Sequence, residues 1–148
     1  MARTLIVILC WMAACAGSAM ADPSGYRILK TTILGGVGGW DYLTLDPATG
    51  HLFITRSSHV MVVDPVSGHL LADITGLKGI HGTVFVGNRA YVTEGGANRL
   101  AVIDTQTNRE IKTIPVGKRP DGILYDPGTK RVFTFNAVSG DASAWYLH

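Results

Sequence analysis

This chain of 148 residues has only two cysteines, Cys10 and Cys15. Both lie within the first 21 positions. Charged residues are also few, at 16% of the chain compared with roughly 25% in an average soluble domain. Beyond residue 15 no disulfide can form, so the fold must be stabilised by packing alone. The scarcity of charge predicts elements that are buried on both faces.

The first 21 residues have the features of a secretory signal peptide. Arg3 supplies a positive start, residues 5–16 are apolar without charge, and residues 19–21 (Ala-Met-Ala) offer a small-residue cleavage site. The apolar run is too short to span a bilayer core of about 30 Å. We therefore predict cleavage after Ala21 and a periplasmic or secreted protein. The alternative is a lipoprotein, since residues 12–15 (Met-Ala-Ala-Cys) loosely resemble a lipidation box ending at Cys15.

The net charge predicts little attraction to nucleic acid or membranes. Once Arg3 is removed, 12 basic residues face 11 acidic ones, and a net charge near zero gives no strong steering of polyanions. Two small basic pairs, at residues 118–119 and 130–131, and an aromatic ring at Trp40 leave weak single-stranded DNA binding as an alternative.

A repeat of 40 residues organises the rest of the chain. Residues 81–120 hold four short apolar runs separated by turn residues, and Asp64 and Asp104 close equivalent runs 40 residues apart. A period of about 40 to 45 residues with four strands per repeat is typical of β-propeller blades. The predicted fold is all-β, with four-stranded antiparallel blades in a domain over residues 22–148. The blades are placed at residues 41–75, 81–115 and, incompletely, 121–148.

The turns and strands follow from residue type. In the first blade the predicted strands are residues 41–46, 51–56, 59–64 and 69–75. Its turns carry Asp to accept backbone N–H groups and Gly to take a left-handed conformation, and Asn108 is predicted in that position in the second blade. Two segments depart from the repeat. Residues 26–33 alternate like a fourth strand without its three partners, and residues 143–148 do not match a third strand, which leaves about two and a half blades.

Three segments carry a resemblance to a known family. Residues 91–94 (Tyr-Val-Thr-Glu), 53–56 (Phe-Ile-Thr-Arg) and, more weakly, 133–136 (Phe-Thr-Phe-Asn) resemble the Tyr-Val-Thr-Asn repeat of YVTN β-propeller proteins. The resemblance covers about residues 26–141 and implies a periplasmic or secreted seven-bladed propeller of the YncE-like type. Because seven blades need roughly 280 residues, we expect a truncated N-terminal piece; the alternative is a small protein that assembles blades from several copies.

Candidate site residues come from the start of each blade. The repeat places Trp40 and Asp41, then His81, then Asp121 at equivalent positions, where propellers bind ligands at the mouth of the axial channel. Imidazole and carboxylate groups there could hold a cation or polarise a substrate. The alternative is that each side chain caps the backbone of its own blade. Equivalent atoms of neighbouring blades are expected many ångströms apart, too far for one ion unless the channel is narrow, so no metal site is predicted. No cofactor is predicted either.

The motifs of common enzyme classes are missing from the sequence. There is no His-Glu-x-x-His, no cysteine-based zinc spacing and no Gly-x-Ser-x-Gly, and Asp41 prevents residues 35–39 from completing a nucleotide loop. We therefore expect a non-enzymatic binding or scaffold module for a small molecule or protein. The alternative is a piece of a propeller enzyme, either lactonase-like or a quinoprotein-type oxidoreductase accessory. Uncovered blade edges also predict self-association.

Overall fold

Three antiparallel sheets make up the described part of the chain. In a computed structural model, residues 25–147 are described, and the predicted signal peptide lies outside them. The strands of the first blade are β1 (Leu43–Leu45), β2 (Leu52–Thr55), β3 (Val60–Val63) and β4 (Leu70–Ile74). Those of the second are β5 (Ile80–Val86), β6 (Arg89–Glu94), β7 (Arg99–Asp104) and β8 (Arg109–Pro115), and those of the third are β9 (Pro120–Asp126), β10 (Arg131–Asn136) and β11 (Asp141–Tyr146).

Within each sheet the strands lie in sequence order, so each blade is a simple antiparallel meander. The first two sheets have four strands and the third has three. All three belong to one compact unit, Thr32–His148, while the described residues of the preceding unit, 25–31, carry no strand. The predicted all-β propeller architecture is confirmed.

The turns form as their residue types predict. The Asp64 carboxylate accepts hydrogen bonds from the backbone N–H groups of Val66 at 2.7 Å and Ser67 at 3.0 Å, and Gly68 takes a φ of 81°. These N–H donors, chiefly that of Ser67, hold the pKa of the Asp64 carboxyl below its ordinary value. In the second blade Asn108 occupies the left-handed position with a φ of 54°, as predicted.

The core lies between blades, as expected for strands that are apolar on both faces. All four residues of β3 are buried, and so are the four central residues of β7. Blades 1 and 2 meet through β3 and β7, where the ring of Phe53 also packs edge-on against that of Phe85, with 5.0 Å between centroids. Blades 2 and 3 meet through a second cluster that includes Tyr91 and Val132. Blade 2 is therefore the only described blade with another blade on each face.

Two predictions about irregular segments were wrong. Strand β11 pairs with β10 over six residues, from Arg131 opposite Tyr146 to Asn136 opposite Asp141, although residues 143–148 were not expected to form a third strand. Backbone pairing does not need the aspartate of the repeat, because a turn with Gly140 at a φ of 68° closes the hairpin. Conversely, residues 26–33 form no strand, since a β-ladder requires a paired neighbour and none of the described strands pairs with them.

Candidate functional site

The starts of blades 1 and 2 bring two predicted site residues into contact. Nδ1 of His81 lies 2.6 Å from Oδ2 of Asp41, and the two side chains are 24% and 35% exposed. The expectation that equivalent residues of neighbouring blades lie many ångströms apart was wrong for this pair. Strands β1 and β5 approach each other closely enough for Thr44 to donate a hydrogen bond to the Thr83 carbonyl, so side chains at their starts can meet.

The contact fixes how the imidazole is presented. An ionised carboxylate only accepts hydrogen bonds, so Nδ1 of His81 carries the proton in this pair. In a neutral ring, Nε2 is then the free acceptor. Neither the Asp41 nor the His81 side chain bonds to the backbone of its own blade within residues 25–147. The capping role considered from the sequence is therefore not seen at these two residues.

The start of blade 3 lies beside the imidazole. A β-carbon placed on Gly95 would be 3.2 Å from Nε2 of His81 and 3.2 Å from the carbonyl oxygen of Pro120. Asp121 follows directly, and its carbonyl oxygen accepts a hydrogen bond of 2.8 Å from Thr93. Its carboxylate is exposed and bonds to no other group in the described part of the chain. Asp121 is thus close to the pair without joining it.

Trp40, the fourth predicted residue, is held by a side chain that the sequence analysis missed. The guanidinium carbon of Arg56 lies 3.6 Å from the centroid of the Trp40 ring. Arg56 is only 1% exposed, whereas Trp40 is 58% exposed. One face of the indole is therefore covered by a buried cation while much of the ring remains in solvent.

Arg56 also holds the loop that leads into blade 1. Its Nε donates to the carbonyl of Gly39, and its two terminal nitrogens donate to the carbonyls of Gly35 and Gly38, each at 2.9 Å. No carboxylate pairs with Arg56 among the residues that the structure describes. Gly38 has a φ of 86°, and a β-carbon there would lie 2.8 Å from the Arg56 carbonyl oxygen. The absence of a side chain at Gly38 therefore lets the loop approach the backbone of Arg56 closely.

The equivalent repeat position also contacts the corresponding loop in the other two blades. We call the residues just before each first strand (35–40, 76–79 and 116–119) the lead-in loops. Glu94, equivalent to Arg56, is fully buried and accepts a hydrogen bond of 3.0 Å from the backbone N–H of Lys78. Asn136 is also buried and lies so close to Gly117 that a β-carbon there would be 2.4 Å from its side-chain nitrogen. In blades 1 and 2 the residue type at this position matches the backbone groups that the loop presents. The Arg56 cation donates to carbonyl groups, and the Glu94 carboxylate accepts from an N–H group.

A small cavity of about 170 Å³ lies between the first strands of the three blades. Thr83 lines it, is only 5% exposed, and has a side-chain oxygen without a hydrogen-bond partner. Across residues 25–147 no group of three or more His, Cys, Asp or Glu side chains is placed to hold a metal ion. The same residues include no helix with the length and apolar character needed to cross a membrane.

Comparison with known proteins supports the fold and one sequence relationship. No protein-family model matches the chain. It is 32% identical to the uncharacterized protein YncE of Salmonella typhimurium over 95 residues, which is 62% of the chain and 27% of that protein. The chain thus spans about a quarter of YncE, and the predicted resemblance to YncE-like propellers is confirmed.

Solved structures agree on the fold. Hydrazine synthase of Kuenenia stuttgartiensis superposes with a TM-score of 0.61 and 21% identity, covering 82% of the chain and 40% of that structure. A protein of unknown function from Bacteroides caccae gives 0.58 and 14%, covering 66% of the chain and 38% of that structure. At these identities the likeness concerns the fold alone.

Proposed function

We propose that this YncE-like chain is part of a non-enzymatic β-propeller module that binds a small polar ligand in the periplasm or outside the cell. The binding site is the axial mouth, defined here as Trp40, Asp41, His81 and Asp121. The observation that carries the proposal is the contact of 2.6 Å between His81 and Asp41, made by two blades and still open to solvent.

This pair is one of several contacts that join blades 1 and 2. The lead-in loops of blades 1 and 2 are already anchored by Arg56 and Glu94. Blades 1 and 2 are also joined by a shared apolar cluster and by the hydrogen bond from the Thr44 hydroxyl to the Thr83 carbonyl. Polar groups that are oriented and partly exposed are typical of binding sites.

A second candidate, an enzyme, rests on the same pair. An imidazole whose Nδ1 is held by a carboxylate presents Nε2 for proton transfer, as in acid–base catalysis. Binding without turnover supports the first candidate, whereas release of product from a bound ester or lactone that depends on His81 supports the second. A further discriminating measurement is calorimetry with divalent ions, for which we expect no binding heat.

Localisation is tested by expressing the full-length chain with its own leader in a Gram-negative host. The expected product is a periplasmic or secreted protein whose first residue is Asp22. A lipid-blocked terminus at Cys15 would support the lipoprotein alternative. A cytoplasmic protein that retains residues 1–21 would refute the proposed location.

Binding is tested by a thermal-shift screen of the full-length chain against small polar molecules. A ligand at 100 times its Kd should stabilise the protein by about 2.7 kcal/mol. His81→Ala should abolish that stabilisation. His69→Ala is the matched control, because His69 is exposed and lies outside the axial mouth. If a ligand stabilises the His81→Ala variant as much as the wild type, it binds elsewhere, and the proposed site is refuted.

A further inference from the structure

A cavity of about 320 Å³ lies between blades 2 and 3. Strands β6, β7 and β8 line it from blade 2, and residues 145–147 line it from blade 3. We call this space the interblade cavity. Its volume is at the lower end of the range for small-molecule sites, roughly 300–1,000 Å³. None of the four residues of the axial mouth lines it, so it is a candidate site of its own.

The inner wall of the interblade cavity is apolar. Tyr91 and Val102, which both line the cavity, lie opposite each other in β6 and β7 and are buried. Trp145 and Leu147, which also line it, pack against the same apolar cluster from the end of blade 3. Contact with such a wall removes apolar surface of a bound molecule from water, which favours binding. A molecule that fits the interblade cavity therefore needs an apolar body.

The charged side chains that line the interblade cavity are both positive. Lys112 of β8 lies opposite Val102, so the two side chains project from the same face of blade 2. Lys112 is exposed and forms no ion pair with a described residue. Arg89 is the other cation of the lining, and no Asp or Glu of the described chain lines the cavity. The cavity therefore favours an anion over a cation.

The two cations differ in how much of their charge is balanced. Asp104 lies opposite Arg89 in β6 and β7. Hydrogen bonds from Thr107, and in addition the positive charge of Arg89, lower the pKa of the Asp104 carboxyl, so it is ionised at neutral pH and offsets part of the Arg89 charge. Lys112 is left as the cation without a counter-charge. A monoanion such as a carboxylate matches this balance better than a phosphate group, which carries about −1.5 to −2 at pH 7.

We infer that the interblade cavity binds a small hydrophobic carboxylate. The apolar body of this ligand lies against Tyr91, Val102 and Trp145, and its carboxylate pairs with Lys112. The ligand class is therefore a monocarboxylic acid that carries an apolar chain or ring. The inference goes beyond the proposed function and does not depend on it, because the axial mouth contributes no residue to this cavity.

The test uses phenylacetate as the probe, with its neutral isostere phenylacetamide and the cation phenethylammonium for comparison. The full-length chain is labelled with ¹⁵N, and the indole N–H signals of its three tryptophans, Trp11, Trp40 and Trp145, are followed by NMR. Phenylacetate should shift the Trp145 signal saturably and leave the Trp40 signal in place. Phenylacetamide should bind about twofold to fivefold more weakly, the loss expected for one ion pair at an exposed lysine, and phenethylammonium more weakly still. Added salt should weaken the binding of phenylacetate more than that of phenylacetamide.

Variants locate the site and the charge contact. Lys112→Gln should weaken phenylacetate binding about twofold to fivefold and remove its advantage over phenylacetamide. Lys118→Gln is the matched control, because Lys118 is exposed and does not line the interblade cavity, and it should leave both affinities unchanged. His81→Ala should also leave phenylacetate binding unchanged, since His81 belongs to the axial mouth.

Three outcomes would overturn the inference. If phenylacetate gives no saturable shift of the Trp145 signal up to its solubility, the ligand class is refuted. If phenylacetate and phenylacetamide bind equally well and Lys112→Gln changes neither, the pairing of a carboxylate with Lys112 is refuted. If His81→Ala abolishes the binding of phenylacetate, the probe occupies the axial mouth, which refutes the interblade site and supports the proposed function. In the first two cases the thermal-shift screen against His81→Ala decides the proposed function separately.

Discussion

Replacing Arg56 by methionine tests the claim that one buried cation organises the lead-in loop of blade 1. Methionine fills a similar volume without donors, so the carbonyls of Gly35, Gly38 and Gly39 lose their charged hydrogen bonds. A hydrogen bond to a charged group contributes about 1.5–3 kcal/mol, which sets an upper limit of roughly 5–9 kcal/mol for three.

The net loss should be smaller for two reasons. The loop residues are exposed, so water can solvate the freed carbonyls. Removing the guanidinium also removes the cost of burying a charge that no carboxylate neutralises. We therefore expect the free energy of unfolding to fall by about 2–3 kcal/mol, which lowers Tm by roughly 8–12 °C for a domain of this size.

Thermal unfolding followed by circular dichroism measures the change in Tm, and hydrogen exchange locates it. Exchange should accelerate in residues 35–40 and stay unchanged in the lead-in loop of blade 2, which Glu94 anchors. Arg109→Met is the matched control, because Arg109 is exposed at the start of β8, and it should change stability by less than about 0.5 kcal/mol. An unchanged Tm together with unchanged exchange in residues 35–40 would refute the reasoning.

Three further perturbations test the core, the turns and the open blade face. Ile103→Ala leaves a cavity at a fully buried position between blades 1 and 2. It should lower the free energy of unfolding, measured with denaturant, by about 2–5 kcal/mol. A decrease below about 1 kcal/mol would contradict the packing. Backbone N–H groups lower the folded-state pKa of Asp64 and Asp104 from 3.8. The two ionised carboxylates therefore add to the free energy of unfolding above pH 3.8, and this addition is lost as pH falls through the lowered pKa values. In acid unfolding, the free energy of unfolding of the Asp64→Asn, Asp104→Asn double variant should therefore fall less steeply with pH below pH 3.8 than that of the wild type. The same dependence on pH in both proteins would contradict this. Leu124 and Phe135 are 54% and 52% exposed on the outer face of blade 3, so light scattering should detect association that Phe135→Lys reduces, and a monodisperse wild-type monomer would refute it.

Local residue chemistry predicted the blades well, because the turn signals act over a few residues. Asp64 and Asn108 take the roles that their side chains favour regardless of the rest of the fold. The same reasoning failed at β11, where Ala144 replaces the expected aspartate. There, pairing with β10 and the packing of Trp145 against blade 2 decide the structure, and neither is visible from a missing motif residue.

The site was predictable by position but not by contact. The period of 40 residues placed Asp41 and His81 at equivalent points, whereas the distance between them depends on how closely two first strands approach each other. The sequence does not single out Arg56, because the repeat makes that residue one variant of the last position of Tyr-Val-Thr-Asn. The available signal was a charged residue at the end of a buried strand, together with a glycine-rich segment whose carbonyls needed donors.

The matching between lead-in loops and their anchors bears on how such a protein can change during evolution. Arg56 suits carbonyl groups, Glu94 an N–H group, and Asn136 a glycine in close contact. A gene duplication or exchange can move a lead-in loop without the end of the second strand of its blade. That loop would then face a residue of the wrong type at the equivalent of position 56. The unit that can be inherited intact therefore runs from the lead-in loop to the end of the second strand, about residues 35–56 in blade 1, and its limits differ from those of the four-stranded sheet.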